Sequence, residues 1–290
     1  MTTVKSVGKV ADLAELAAPD GEILGIYQGS SGIAHTRWAT HGEPTEANAH
    51  PHLDASGRIA MVHNGIIENY LELRARLRAD GHAFASETDS EVLAHLIGEF
   101  YNGDLLEAVC AALQHVEGAF GISVVCADHP GTLIAARRGS PIVVGVGAEE
   151  TLVASDAAAL AAHTSQVVFL DDDDVAVLTP DGLEVRNIHN VPVSREVSEL
   201  DWDTGAAEKG GFEHFMLKEI FEQPESLRNA IRGRLDAKQS TAILSGLSLS
   251  PREISDVGRL VMLACGTSLH AGMVGEYFFE DLADLPTDVD

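Results

Sequence analysis

The chain has 290 residues, 45% of them hydrophobic and 22% charged. That is ordinary globular usage and argues against disordered, collagen-like and membrane-spanning classes; the length suits one large or two ordinary domains of about 100–200 residues each. Its 45 acidic residues against 19 basic ones give a net charge of −26, which repels phosphate backbones and anionic membrane surfaces, so neither nucleic acid nor a membrane is expected as a partner.

The opening MTTVKSVGKVADLAEL lacks the apolar run and small-residue cleavage site of a secretory signal. EILGIYQ and IAMVHNG read as extended segments. NYLELRARLRADG carries apolar residues at helical spacing and is closed by Gly81, and DSEVLAHLIGEF and DLLEAVCAALQHV predict two further helices. A run of strands follows in GAFGISVVCAD, GTLIAARR, PIVVGVG, ETLVAS, QVVFL, DVAVLT and LEVRNI, punctuated by Gly, Pro and Asp turns. Consecutive strands flanked by helical blocks predict an α+β domain of layers with antiparallel sheet over residues 1–190. Residues 191–211 lack a sustained period and read as a linker. Beyond it, FEHFMLKEIFEQ predicts a helix halting at Pro224, and ESLRNAIRGR a second one. GRLVMLACGTSLHAGMVGEYFFEDLADLPTDVD has a strand, a turn of small residues and a long helix, the opening of a doubly wound α/β unit over residues 212–290.

Cys110, Cys126 and Cys265 lie far apart with no CxxC, which fits a reducing compartment and predicts a cytoplasmic location; Cys110 and Cys126 read as core. Between His35 and His63 lie five of the thirteen histidines, but their spacing fits neither HExxH nor a finger-like ligand pairing, so no metal is expected. Taken singly, His35, His50 and His52 read as turn and hydrogen-bonding histidines. As a group the loop offers more. Arg37, with Thr40 and His41 beside it, presents a planar cationic fork suited to a carboxylate. Asn64 and Gly65 follow the strand IAMVH at a sharp turn. A side-chain amide next to a glycine N–H is the donor pair an oxyanion hole requires, although NG alone is also a hairpin signal. Asp89, in SETDSE, reads as an N-cap for the helix after it and equally as an anion for a substrate ammonium. Together these groups would grip an α-amino acid at both ends and polarise its side-chain carbonyl.

HTRWATHG, NAHPH, VHNGIIENY, SETDSE, GAFG and RRGSP, in this order, resemble the glutaminase domain of the glutamine:fructose-6-phosphate aminotransferase (isomerizing) family, the glucosamine-6-phosphate synthases. Other class II amidotransferases share several of these blocks more loosely, but HFMLKEIFEQP and LACGTS resemble the start of the sugar isomerase (SIS) half of that family. The resemblance implies an N-terminal-nucleophile-type αββα sandwich followed by the first strand and helices of the SIS domain. It implies glutamine and fructose 6-phosphate as substrates, no cofactor and a homodimer. By residue, it implies Arg37, Thr40 and His41 at the glutamine carboxylate, Asp89 at the ammonium, Asn64 and Gly65 as oxyanion hole, Trp38 at the ammonia passage, and Thr267 and Ser268 at the sugar phosphate.

The family's N-terminal Cys-Gly-Ile-Val-Gly and EYRGYDSAG-like segments have no counterpart here, and Thr2 lies too few residues before Arg37 to replace that cysteine with its strands. The expectation is therefore a truncated chain, inactive in both half-reactions. The alternatives are a non-catalytic glutamine-binding module and another class II amidotransferase.

Overall fold

The computed structural model describes residues 1–18, 29–37, 42–200, 211–231, 235–236, 241–242 and 251–290. The expected strand EILGIYQ and the site candidates Trp38, Thr40 and His41 fall outside them. The chain divides into two compact units at Gly210/Gly211.

In the first unit a short helix α1 (Val10–Ala17) precedes β1 (His52–Leu53) and β2 (Ile59–Ile67). Three helices follow: α2 (Tyr70–Ala79), α3 (Asp89–Phe100) and α4 (Leu105–Leu113). Then come β3 (Gly118–Cys126), β4 (Leu133–Arg138), β5 (Val143–Val146), β6 (Thr151–Ala154), β7 (Gln166–Phe169), β8 (Asp174–Thr179), β9 (Gly182–Asn187) and β10 (Ser198–Glu199). They build a six-stranded sheet in the order β1-β2-β3-β4-β8-β9 and a four-stranded sheet in the order β10-β7-β5-β6, with every pairing antiparallel.

Period-two alternation decides what lies on each face of the large sheet. Ile134 and Ala136 of β4 pack with the helices, joining Leu77 of α2, Leu93, Leu96 and Ile97 of α3 and Val109 and Leu113 of α4 in the main core. Ala135, between them, faces the other way and packs with Val144 of β5, Val168 of β7 and Leu178 of β8, sealing sheet against sheet. On the outer face of the small sheet, Val143 and Val167 are covered by Leu160 of a 3-10 turn, Ala157–Leu160. The layered α+β arrangement with antiparallel sheets is thus the one the strand run implied. Cys110 and Cys126 are buried as expected, and burial pushes the Cys110 thiol up to about 11.

Three local expectations change. Residues 191–200 do not behave as a free linker: Val193 N–H bonds to Val185, β10 pairs with β7, and the Arg195 guanidinium grips the buried Asp174 carboxylate at 2.6 and 2.8 Å. Polar composition hid a segment held by backbone pairing and by ion pairs from Arg195 to Asp174 and Asp171. NG does not turn the chain: β2 runs on through Asn64 and Gly65 to Ile67, paired with β3 in unbroken register. In the second unit, α5 (Phe215–Ile231) passes through Pro224 without ending. Proline's fixed φ is compatible with helix, and the lost donor is one bond among those of 17 residues.

The second unit also contains β11 (Leu235–Asp236) paired with β12 (Thr241–Ala242), a short helix α6 (Pro251–Ser255), β13 (Leu260–Met262), α7 (Thr267–Ala283) and β14 (Thr287–Val289). β13 and β14 are parallel and α7 crosses between them, a βαβ unit. No residue of α7 is buried; Val274, Tyr277, Phe278 and Leu282 all stand exposed.

Candidate functional site

The site begins with the helix that carries Asp89. Thr88, extended at φ −75° and ψ 150°, accepts the N–H of Glu91 and caps α3, so the cap falls one residue before the expected Asp89. Asp89 and Glu91 then lie in the first turn, where unpaired N–H groups and the helix dipole favour anions. Leucine and isoleucine side chains of α3 anchor it in the main core, and Asp89 is itself only 5% exposed. Its Oδ2 accepts the backbone N–H of Ile67 at 2.9 Å, which ties the start of the helix to the end of β2.

Three residues upstream on β2 is Asn64. His35 Nε2 meets Asn64 Oδ1 at 2.8 Å. With the proton on Nε2, His35 donates and Asn64 is held with Nδ2 left as a donor. Gly65 follows at φ +132°, and a Cβ there would lie 2.1 Å from the Ala119 carbonyl oxygen on β3. Only glycine fits so close a strand.

Arg37 comes from the loop before β1. Its Nη1 and Nη2 donate to the carbonyls of Glu43 and Gly42 at 3.2 and 3.1 Å.

Arg37, Asn64, Gly65 and Asp89 line one hollow of about 250 Å³, together with His35, Thr36, His50, His63, Ile66, Thr88 and Ser90. That is the scale of an amino acid. A guanidinium, a carboxylate and an amide with a neighbouring glycine thus converge from three chain segments. Thr267 and Ser268 lie in the first turn of α7 in the second unit, exposed, after Gly266 at φ +60°.

Among the described residues, His35 and His50 meet at a tilt beside this hollow, and His52 meets His50 edge to face. The ring centroids of His35 and His50 are 4.1 Å apart, and those of His50 and His52 4.8 Å. Burial holds all four of His35, His50, His52 and His63 below their ordinary pKa. His52 is lowered to about 4 by burial and then by the Lys5 charge. His63 Nδ1 is 2.9 Å from Ser90 Oγ. Sequence reasoning passed over Ser90 and Thr36 and weighed His63 only as a metal ligand; the period-two pattern of β2 and the first turn of α3 were the available signals.

The family pattern of the glutamine amidotransferase domain matches residues 6–232. The chain belongs to the glutamine amidotransferase family. It is 48% identical to a glutamine–fructose-6-phosphate aminotransferase (isomerizing) of Chlorobaculum tepidum over 100% of this chain and 48% of that one. A protein of the same description from Thermus thermophilus is 51% identical over 100% of this chain and 46% of its own length. The chain therefore spans about half the length of the curated relatives it matches. The solved glutamine phosphoribosylpyrophosphate amidotransferase of B. subtilis overlays at a TM-score of 0.48 and 17% identity, covering 88% of this chain and 50% of its own. Among the described residues no helix is long and apolar enough to cross a membrane.

Proposed function

We propose that the first unit binds free L-glutamine and polarises its side-chain amide. The single observation carrying this is the shared hollow: Arg37, Asp89 and the Asn64/Gly65 pair line the same 250 Å³ of space. Arg37 pairs with the α-carboxylate through a planar fork of donors, and Asp89 takes the α-ammonium. Asn64 Nδ2 and the Gly65 N–H face the side-chain carbonyl and stabilise the oxygen when attack makes it negative. The resemblance of HTRWATHG to the family's motif supports roles for Thr40 and His41 in binding the carboxylate and for Trp38 in ammonia passage.

Attack on the amide requires a nucleophile. Cys110 and Cys126, the cysteines of the first unit, are buried in the core and do not line the hollow. On this reading the first unit holds and polarises glutamine without a thiol of its own at the hollow. In the whole protein the hydrolysis would convert glutamine and water to glutamate and ammonia. The names of the relatives support fructose 6-phosphate as the acceptor of that ammonia, with Thr267 and Ser268 at the α7 N-terminus holding its phosphate.

Titration calorimetry with L-glutamine tests the reading. Saturable one-to-one binding of the L isomer, with no ammonia released, is the expected result. Equal heats for L- and D-glutamine, or none at millimolar concentration, would overturn it.

A further inference from the structure

We propose that Asn48 is a positioning residue that sets the separation of the two ends of the amino-acid clamp. This rests on the reading of the hollow as a glutamine site.

Asn48 is 3% exposed and uses both ends of its amide. Nδ2 donates to the Glu43 carbonyl at 3.0 Å, the same oxygen that accepts Arg37 Nη1 at 3.2 Å. Oδ1 accepts the N–H of Glu87 at 2.9 Å, across 39 residues of sequence. Glu87 directly precedes the cap Thr88 and then Asp89. On its other side, Arg74 donates to the carbonyls of Ser86 and Glu87, so Glu87 is held from both directions. The connection reads Arg37, Glu43 carbonyl, Asn48, Glu87 N–H, Asp89: one side chain joins the loop of the cation to the loop of the anion. Packing enforces the same join. Gly42, at φ +75°, sits against both partners: a Cβ there would meet Asn48 Nδ2 at 2.6 Å and Glu87 Oε2 at 2.9 Å.

A carboxamide is required because the two partners have opposite polarity. Glu43 offers a carbonyl and needs a donor; Glu87 offers an N–H and needs an acceptor. Aspartate keeps the size and the acceptor but turns an oxygen toward the Glu43 carbonyl. The Arg37 loop then shifts relative to Asp89, and a ligand held at both ends feels the change more than a ligand held at one, because a misplacement of about 1 Å can cost about 100-fold.

The test compares Asn48→Asp and Asn48→Ala with the unaltered chain by NMR titration. The probes are L-glutamine, glutaramate, which has the carboxylate end alone, and 4-aminobutanamide, which has the ammonium end alone. The unaltered chain should prefer glutamine to either by about 100-fold, and Asn48→Asp should cut that ratio about tenfold while single-ended affinities stay within about twofold. A ratio unchanged in Asn48→Asp overturns the positioning role. If both variants are unfolded at 25 °C by thermal melting, the residue is structural and the proposal falls. An unaltered chain without any preference for glutamine overturns the glutamine reading itself, a failure distinct from the others because it does not involve Asn48.

Discussion

The Asp89 carboxylate accepts the backbone N–H of Ile67 at 2.9 Å, joining the first turn of α3 to the last residue of β2. One group thereby serves the fold and faces the hollow. In Asp89→Asn the charge goes while size and one acceptor remain. Stability should fall by about 1 kcal/mol and glutamine affinity by about 100-fold or more, as expected when a buried charge loses its counter-ion partner. Calorimetry and a denaturant melt on the same sample separate the two effects. Undiminished affinity would remove Asp89 from the clamp.

Arg37→Lys keeps the positive charge and loses the fork. Glutamine affinity should drop about tenfold or more, because an ammonium cannot reproduce paired parallel donors. The comparison probe 4-aminobutanamide, which has no carboxylate, should bind the variant and the unaltered chain alike. A loss shared by both ligands would point instead to a collapsed loop.

Gly65→Ala should cost about 3 kcal/mol or more, since a Cβ 2.1 Å from the Ala119 carbonyl forces β2 and β3 apart at a left-handed φ. Gly57→Ala is the control. Its φ is +69°, but nothing lies within 4 Å of the added carbon, so about 1 kcal/mol is expected from backbone strain alone. Equal melting shifts in the two variants would contradict the close approach at Gly65.

Acid should destabilise the first unit in two stages. His35, His50, His52 and His63 are held below 6.5 mainly by burial, so they stay neutral when folded and take protons when unfolded. Stability is therefore lost as pH falls from 6.5, down to about 4 in the case of His52. Each such histidine contributes a slope of up to about 1.4 kcal/mol per pH unit, and His50→Gln should flatten the curve by that amount. Burial raises the Glu91 carboxyl, but the His95 ring 3.7 Å away and the hydrogen bonds from Ser86 and Ala85 win and bring it down to about 2 from 4.5. Its contribution is present above pH 4.5 and lost as pH approaches 2, the same direction as the histidines but at lower pH. Denaturant midpoints from pH 8 to pH 4 check the first stage; a flat profile would contradict neutral buried histidines.

Glu91→Gln tests the second network directly. Glu91 accepts the N–H groups of Ala85 and Ser86 at 2.7 Å each and the Ser86 hydroxyl at 2.6 Å. Removing the charge should cost about 2–3 kcal/mol, the range for hydrogen bonds to ionised groups. Chemical denaturation measures it, and a cost below about 0.5 kcal/mol would leave the network without energetic weight.

Much of this was legible locally. Asp89–Phe100 is the helix that DSEVLAHLIGEF predicts from its apolar spacing, although the cap was read at Asp89 and lies at Thr88. The strand run from Gly118 to Asn187 was equally readable from alternation and turn residues. The passage of α5 through Pro224 was not, since a proline's effect depends on whether the surrounding turns hold the helix together. Nor was the pairing of residues 191–200 with the first unit, which rests on partners far along the chain. The same holds for Asn64 and Gly65: a dipeptide that commonly turns a hairpin continues a strand here because β3 supplies partners on both sides of it.

Composition, periodicity and caps determined which segments are helix or strand, which cysteines are buried and which charged residues are available, because those depend on neighbours a few positions away. Tertiary structure alone decided that a guanidinium from residue 37, an amide from residue 64 and a carboxylate from residue 89 share one hollow, and that Asn48 joins the first of these to the last. Strand register and helix docking set those distances, and both arise from contacts between residues distant in the chain.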